Sequence, residues 1–297
     1  MTTHLDTSTS ASAPAANGDD GAGLLPSPAL PKSPASRLRW AAADSWTLTL
    51  RTFRHWARQP AALILALLFP VLLVLMFGYL FGGQMQVPGG GNYREFLLPG
   101  MFAMSMVFGI ETTFAAVSTD AARGVTDRFR SMPIAASAVV VGRSVADMAH
   151  SVVALAVMVV CGRLVGWSWH DGLVRAAAAF ALLLLLRFAL LWVGIYLGLV
   201  ARGPESLVAI QVLVWPIGFL SNAYASPASM PDWLGAVAEW NPLSATVAAA
   251  RELFGNPGWG GESFAARHAV ELAIAWPVLI TAVFLPLAVR RFNRLDR

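Results

Sequence analysis

Charge, lysine and cysteine are all scarce in this chain of 297 residues. Asp, Glu, Lys and Arg together make up 13% of it, against roughly 25% in soluble domains. The single cysteine, Cys161, excludes a disulfide framework, and its place inside an apolar run marks it as a small hydrophobe. The single lysine, Lys32, excludes a P-loop, because Gly-x-x-x-x-Gly-Lys-Ser/Thr needs an ammonium group on the phosphates and Lys32 stands in a Ser/Ala/Pro-rich tail. His-Glu-x-x-His, paired cysteines and Gly-x-Ser-x-Gly are also missing. No residue is therefore assigned to catalysis, to a cofactor or to a metal. What the chain has in excess is apolar: 57% hydrophobic residues, with 16 Phe and 11 Trp. Such a composition belongs to an all-α polytopic membrane protein.

Along the chain, Met1 to Ser36 is polar and aperiodic and buries too little apolar surface to order itself. Residues 37–58 change character. Ala42, Trp46, Leu50, Phe53 and Ala57 share one helical stripe while Arg51, Arg54 and Arg58 gather on another, the pattern of an amphipathic helix lying among lipid headgroups. Six apolar segments follow, at 61–82, 97–119, 139–165, 176–200, 207–224 and 269–289, each weighed against the roughly 20 residues that cross a bilayer. The fifth carries Pro216, whose ring removes a backbone donor and predicts a kink. Between the fifth and sixth, residues 225–267 are broken by prolines and fit two short helices, 232–240 and 244–254. Cytoplasmic termini put fifteen Lys/Arg inside and only Arg94, Arg175, Arg251 and Arg267 outside. That imbalance fixes the expected orientation and accounts for the net charge of +4 through lipid headgroups, without nucleic acid.

The connection 120–133 carries Val125, Phe129 and Met132 at helical spacing among Asp120, Arg123, Asp127, Arg128 and Arg130. A short helix with an apolar ridge would fit a cleft on a partner; a solvated loop obeying the orientation rule would look similar. Here the chain resembles the ABC-type-2 exporter permeases of the daunorubicin-resistance-like group. Three stretches carry the resemblance: Thr49-Leu-Arg-Thr-Phe-Arg-His-Trp-Ala-Arg-Gln-Pro60, then Gly124 to Pro133 with Asp127-Arg128 at the acidic-basic pair, then Met230-Pro-Asp-Trp-Leu…Asn241-Pro-Leu-Ser…Arg251. Their order and spacing together are specific, and the likeness spans about 45–294. The resemblance implies six spans, a connecting helix near residues 40–58 and re-entrant helices within 231–254. It further implies a core of two permeases, a second copy of this chain or a related one, working with two cytoplasmic ATPase subunits that hold ATP and Mg. It makes 120–133 the coupling helix that docks on the ATPase. Val125 and Arg130 depart from the family, which has small polar and apolar residues there.

Ionisable groups inside spans are expensive and ask for partners. Glu111 and Arg187 lie at depths that differ by about 5 Å at 1.5 Å per residue, so the two are expected to pair, either locking helices or lining the path. Arg143 and Asp147, four residues apart, are expected to bond to each other. His150 reads as a bundle histidine or a protonatable gate. Arg163 is expected to snorkel, and Trp167 and Trp169 to sit in an aromatic belt. The function expected is export of drugs, antibiotics or other amphipathic or lipid-like compounds from a bacterial inner membrane, powered by a separate ATPase. The alternatives are a permease for polysaccharide or lipid-linked glycan, which would favour a wider polar tunnel, and a polytopic membrane enzyme, which would need clustered His, Asp or Glu at one face.

Overall fold

The computed structural model describes residues 60–81, 87, 91–122, 136–201, 203 and 205–294. The N-terminal tail, the connecting helix and positions 123–133 of the charged loop lie outside the described residues. Among the described residues every regular element is helical. They are α1 (Pro60–Met76, continued by a π turn at Phe77–Phe81), α2 (Tyr93–Ala122), α3 (Ala136–Val165), α4 (Gly172–Val200), α5 (Glu205–Phe219), α6 (Asp232–Glu239), α7 (Pro242–Phe254), α8 (Phe264–Arg267) and α9 (Ala269–Arg294).

Four of these, α2, α3, α4 and α9, are long and apolar enough to cross a membrane. The other two apolar segments are helical where the sequence places them. However, α5 has 15 residues and measures about 22 Å at 1.5 Å per residue, short of a roughly 30 Å hydrocarbon core. The expected fifth segment ran to residue 224, whereas the helix stops at Phe219. Its end is peeled away where the carbonyls of Ile217 and Leu220, which would accept the amides of residues 221 and 224 in a longer helix, take the Asn241 side chain instead. Pro216 lies inside α5, and its carbonyl accepts the Leu220 amide at 2.7 Å.

The bundle is organised around α2 and α4, which pack along their lengths, with α9 and α7 on other sides of α4, α5 and α1 against α2, and α3 bridging α1, α2 and α4. In lipid the hydrophobic effect does not drive helices together, so close packing and hydrogen bonds must do so. Gly194 and Gly198 supply that closeness. A Cβ on Gly198 would stand 2.7 Å from the Val117 Cβ, and one on Gly194 3.0 Å from the Thr113 Cβ, with the Ile110 and Phe114 carbonyls 3.1 Å away. The two glycines, four apart, form a small-xxx-small seam on which α2 rests.

The end of the bundle bearing α6 to α8 is stapled by side chains. The Asn241 side chain caps α7, accepting the Leu243 amide at 2.9 Å, ahead of Pro242 in the first helical position. Gly255 closes α7 in the left-handed conformation, φ 68°. The other face of the Asn241 amide donates to the carbonyls of Ile217 (2.8 Å) and Leu220 (2.7 Å), tying α7 to the frayed end of α5. Two short helices were expected here, and two are found, starting and ending within two residues of the expected bounds. Arg94, at the start of α2, donates to the Gly78 carbonyl in the π turn (3.1 Å) and to the Val165 carbonyl at the end of α3 (2.8 Å). One side chain thus joins three helices at this end.

Candidate functional site

Two groups of polar residues and one row of aromatic rings stand out in the bundle, and the helical rise alone does not predict which residues join. The first group surrounds Arg187 on α4, which is 1% exposed. Its Nε donates to Ser151 Oγ on α3 (2.8 Å) and its Nη2 to Thr113 Oγ1 on α2 (2.7 Å). Thr113 in turn donates to Asp147 Oδ2 (2.9 Å), and Ser151 to the Asp147 carbonyl (2.8 Å). The Asp147 carboxylate attracts the guanidinium, so cation and anion share one threonine. Space for the guanidinium comes from Gly109 on α2, where a Cβ would meet Arg187 Nε at 2.5 Å. His150, half-buried on α3, lies within the electrostatic reach of Asp147 and Arg187.

Two expected pairs are thereby replaced. Arg187 does not meet Glu111, because Thr113 is the α2 residue that faces it. Glu111 lies two positions away, about 200° around the helix, and points to α5. There Gln211 Nε2 approaches Glu111 Oε2 at 3.4 Å, and Glu111 Oε1 is buried without a hydrogen-bond partner. Depth was readable from sequence; azimuth was not. Similarly, Arg143 and Asp147 share one face of α3, yet both reach across to α2. Arg143 forms an ion pair with Asp120, and Asp147 takes Thr113. Asp120 is the only residue of the expected coupling set among the described residues. Arg123, Gly124, Val125, Asp127, Arg128, Phe129, Arg130, Met132 and Pro133 lie outside them.

The second group centres on Arg251 of α7, 2% exposed, which sequence reasoning placed on the outer side, at the end of the third stretch shared with the family, without naming its partners. Its Nε donates to the Phe96 carbonyl (2.9 Å), Nη1 to that of Asn222 (3.0 Å) and Nη2 to that of Ala223 (3.0 Å). The guanidinium lies over the Phe96 ring, 3.9 Å from its centroid. Burial pulls its pKa down, to about 9, against the opposing influence of the Tyr93 phenol. Trp259 Nε1 shares the Asn222 carbonyl at 2.7 Å. Beside this group lies a cavity of about 510 Å³ whose polar lining includes Asn222, Ser244, Arg251 and Glu252. The belt expected of Trp167 is also corrected. Trp167 is 1% exposed and donates through Nε1 to Asn256 Oδ1 at 2.8 Å. Trp169 provides the flat surface instead, with the exposed Arg163 guanidinium 3.7 Å above it.

The third group is a row of aromatic rings along α1, α2, α5 and the turn that follows α5, starting one turn from Glu111. Phe108 on α2 stands 5.0 Å from Trp215 on α5, and Phe69 on α1 touches both at 6.1 and 5.9 Å. Trp215 stacks on Phe219 at 5.7 Å, and Phe219 on Tyr224 at 5.3 Å. The row is open to one side, with Phe69 46% and Phe219 49% exposed. Composition announced aromatic abundance; only the fold aligns these rings.

Known proteins place this architecture. The model of the ABC-2 type transporter family matches residues 44–254. The daunorubicin resistance ABC transporter permease protein DrrB1 of Streptomyces coeruleorubidus is 34% identical over 260 residues, covering 85% of this chain and 88% of its own. A putative transport permease, ycf38, of the alga Porphyra purpurea is 26% identical over 217 residues, 71% of this chain and 74% of its own. With the family match spanning most of the helices described above, the chain belongs to the ABC-2 type transporter family.

Proposed function

We propose that this chain is the membrane-spanning subunit of an ATP-driven exporter for drugs, antibiotics or other amphipathic and lipid-like compounds. The observation that carries the reading is the extended identity to a permease named for daunorubicin resistance. The open row of aromatic rings at Phe69, Phe108, Trp215, Phe219 and Tyr224 supports it, since stacking faces suit planar apolar cargo better than a hydrated glycan. In this reading all six apolar segments cross the bacterial inner membrane, the fifth as α5 together with the irregular residues 220–224 that follow it, with both termini in the cytoplasm and α6 and α7 re-entering from the outside. The chain holds no nucleotide. Two cytoplasmic ATPase subunits bind ATP and Mg, and two permeases, identical or related, enclose the path.

Force reaches the bundle through the 120–133 segment, docked on the ATPase. Its flanks are α2 and α3, joined at the mouth by Asp120–Arg143 and two turns deeper by the Thr113–Asp147–Arg187–Ser151 network. A push on the segment therefore moves α2, α3 and α4 together. Reconstitution of the permease with its ATPase into proteoliposomes tests the proposal. Accumulation of an amphipathic aromatic dye should require both subunits and ATP. Dye movement by the permease alone, or none with both present, would overturn it.

A further inference from the structure

The cavity beside Arg251 measures about 510 Å³, inside the roughly 300–1,000 Å³ range of small-ligand pockets. We infer that it binds the zwitterionic headgroup of an ethanolamine phospholipid, a site separate from the cargo path. The inference goes beyond the export reading and takes from it only which side of the membrane this end of the bundle faces. Charge is the first argument. Two carboxylates, Glu239 and Glu252, and two guanidiniums, Arg251 and Arg267, line the cavity, so its wall carries both signs and no net charge. A ligand bearing one charge of each sign complements such a wall, whereas a simple anion or cation is opposed by half of it. Arg251 already gives three donors to the carbonyls of Phe96, Asn222 and Ala223, which leaves the exposed Arg267 to take a phosphate. The cation nearest Glu252 is Arg175, at 4.0 Å, and Asp171 holds that guanidinium more closely, at 2.7 Å, so Glu252 keeps capacity for an ammonium.

An unmade acceptor narrows the choice of cation. Asn222 also lines the cavity, and its Oδ1 is buried without a hydrogen-bond partner among the described residues. Its Nδ2 donates to the Ser244 carbonyl at 3.1 Å, which fixes the way the amide points. A buried acceptor asks for a donor. A primary ammonium brings three N–H groups to Asn222 and the two carboxylates, while the quaternary ammonium of choline brings none. Position makes the ligand a lipid. The same end exposes Trp233, Trp240 and Phe264, with Trp240 stacked on Phe264 at 6.3 Å, as aromatic side chains do at the level of lipid headgroups. From there α9 exposes Ile274, Val278 and Leu279, an apolar track for acyl chains that begins seven residues beyond Arg267. A soluble zwitterion would use neither feature.

Native mass spectrometry of the purified, delipidated permease tests the site. The protein is offered an equimolar mixture of phosphatidylethanolamine, phosphatidylcholine and phosphatidylglycerol with identical acyl chains. Wild type should retain the ethanolamine lipid about tenfold better than either of the others. Arg267→Gln should weaken its binding about tenfold, and the double variant Glu239→Gln/Glu252→Gln should erase the preference over choline and glycerol. Glycerophosphoethanolamine, the same headgroup without chains, should not displace the lipid at equal concentration. Equal retention of the three lipids, or a preference unchanged in both variants, would overturn the inference; displacement by the soluble headgroup would overturn the assignment to a lipid. If the variants fail to give monodisperse protein, the wild type is tested with mono-, di- and trimethylated ethanolamine lipids. Affinity falling stepwise as N–H groups are removed supports the site, and equal affinity along the series refutes it. The outcome is distinguishable from that of the export reading. Ethanolamine selectivity in a permease that never accumulates dye with its ATPase would keep this inference and sink that reading. ATP-driven dye accumulation by a permease indifferent to the headgroup would do the reverse.

Discussion

Two arginines are buried in this bundle to nearly the same degree, Arg187 at 1% and Arg251 at 2% exposure, and they are held in opposite ways. Arg251 gives three of its donors to backbone carbonyls, on the first turn of α2 and on the chain just past α5. Carbonyls move only if the chain moves, so Arg251 is a fixed peg. Arg187 bonds to two hydroxyls, which can rotate, and its Nη1 is buried without a partner. A group with rotatable partners and a spare donor can exchange bonds at little cost. The α7 end is thus pegged to main chain, while the α2–α3–α4 centre is tied through side chains whose bonds can reorient as the three helices move together.

Substitutions can break this contrast, beginning with the peg. Arg251→Leu leaves the carbonyls of Phe96 and Ala223 without that donor, and each buried acceptor left unmade costs roughly 1–3 kcal/mol. The thermal midpoint in detergent should fall by about 10 °C or more. Arg251→Lys should recover little, since an ammonium cannot reproduce the planar fork that spans three acceptors. Rescue by lysine would show that charge, not geometry, holds this end.

A smaller loss is expected at the centre. Arg187→Met and Asp147→Asn should each destabilise the protein by strengthening an imbalance of buried charge, about 2–4 kcal/mol apiece. The double variant should lose clearly less than the two combined, a coupling readable in a double-mutant cycle. Additive losses would mean that the cation and anion act separately despite sharing Thr113. Gly109→Ala comes next. Its new methyl would meet Arg187 Nε at 2.5 Å, and because that neighbour is a flexible side chain the guanidinium should shift, at about 1–2 kcal/mol. The smallest effect belongs to Arg143→Ala. Asp120 is nearly half exposed, so its stability change should stay within about 1 kcal/mol. In the reconstituted complex the same variant should uncouple ATP hydrolysis from dye accumulation, since the mouth of α2 and α3 is released.

Helix positions were legible from local signals, apolar runs for the long helices and proline breaks for the short ones, although α7 begins two residues before the expected 244, at the Asn241 cap and Pro242. Which polar residues meet was legible only in part. Counting residues from a span end gives height, so Glu111 and Arg187 came out level, but helices also have a rotation about their axes. Thr113, a residue with no charge to draw attention, turned out to be the one facing Arg187. Arg251 was named in a motif but its partners were not readable, for a related reason. Its acceptors are main-chain carbonyls, which carry no sequence identity at all. Trp167 looked like a lipid-facing ring until Asn256, 89 positions away, supplied its indole partner.

The seam at Gly194 and Gly198 has a mechanical consequence. There α2 and α4 touch almost backbone to backbone, so sliding one along the other would drive side chains into main-chain atoms within a fraction of a residue's rise. Tilting about the contact meets no such obstacle. The seam therefore acts as a hinge line: it resists sliding of α2 along α4 and leaves tilting as the motion this contact permits.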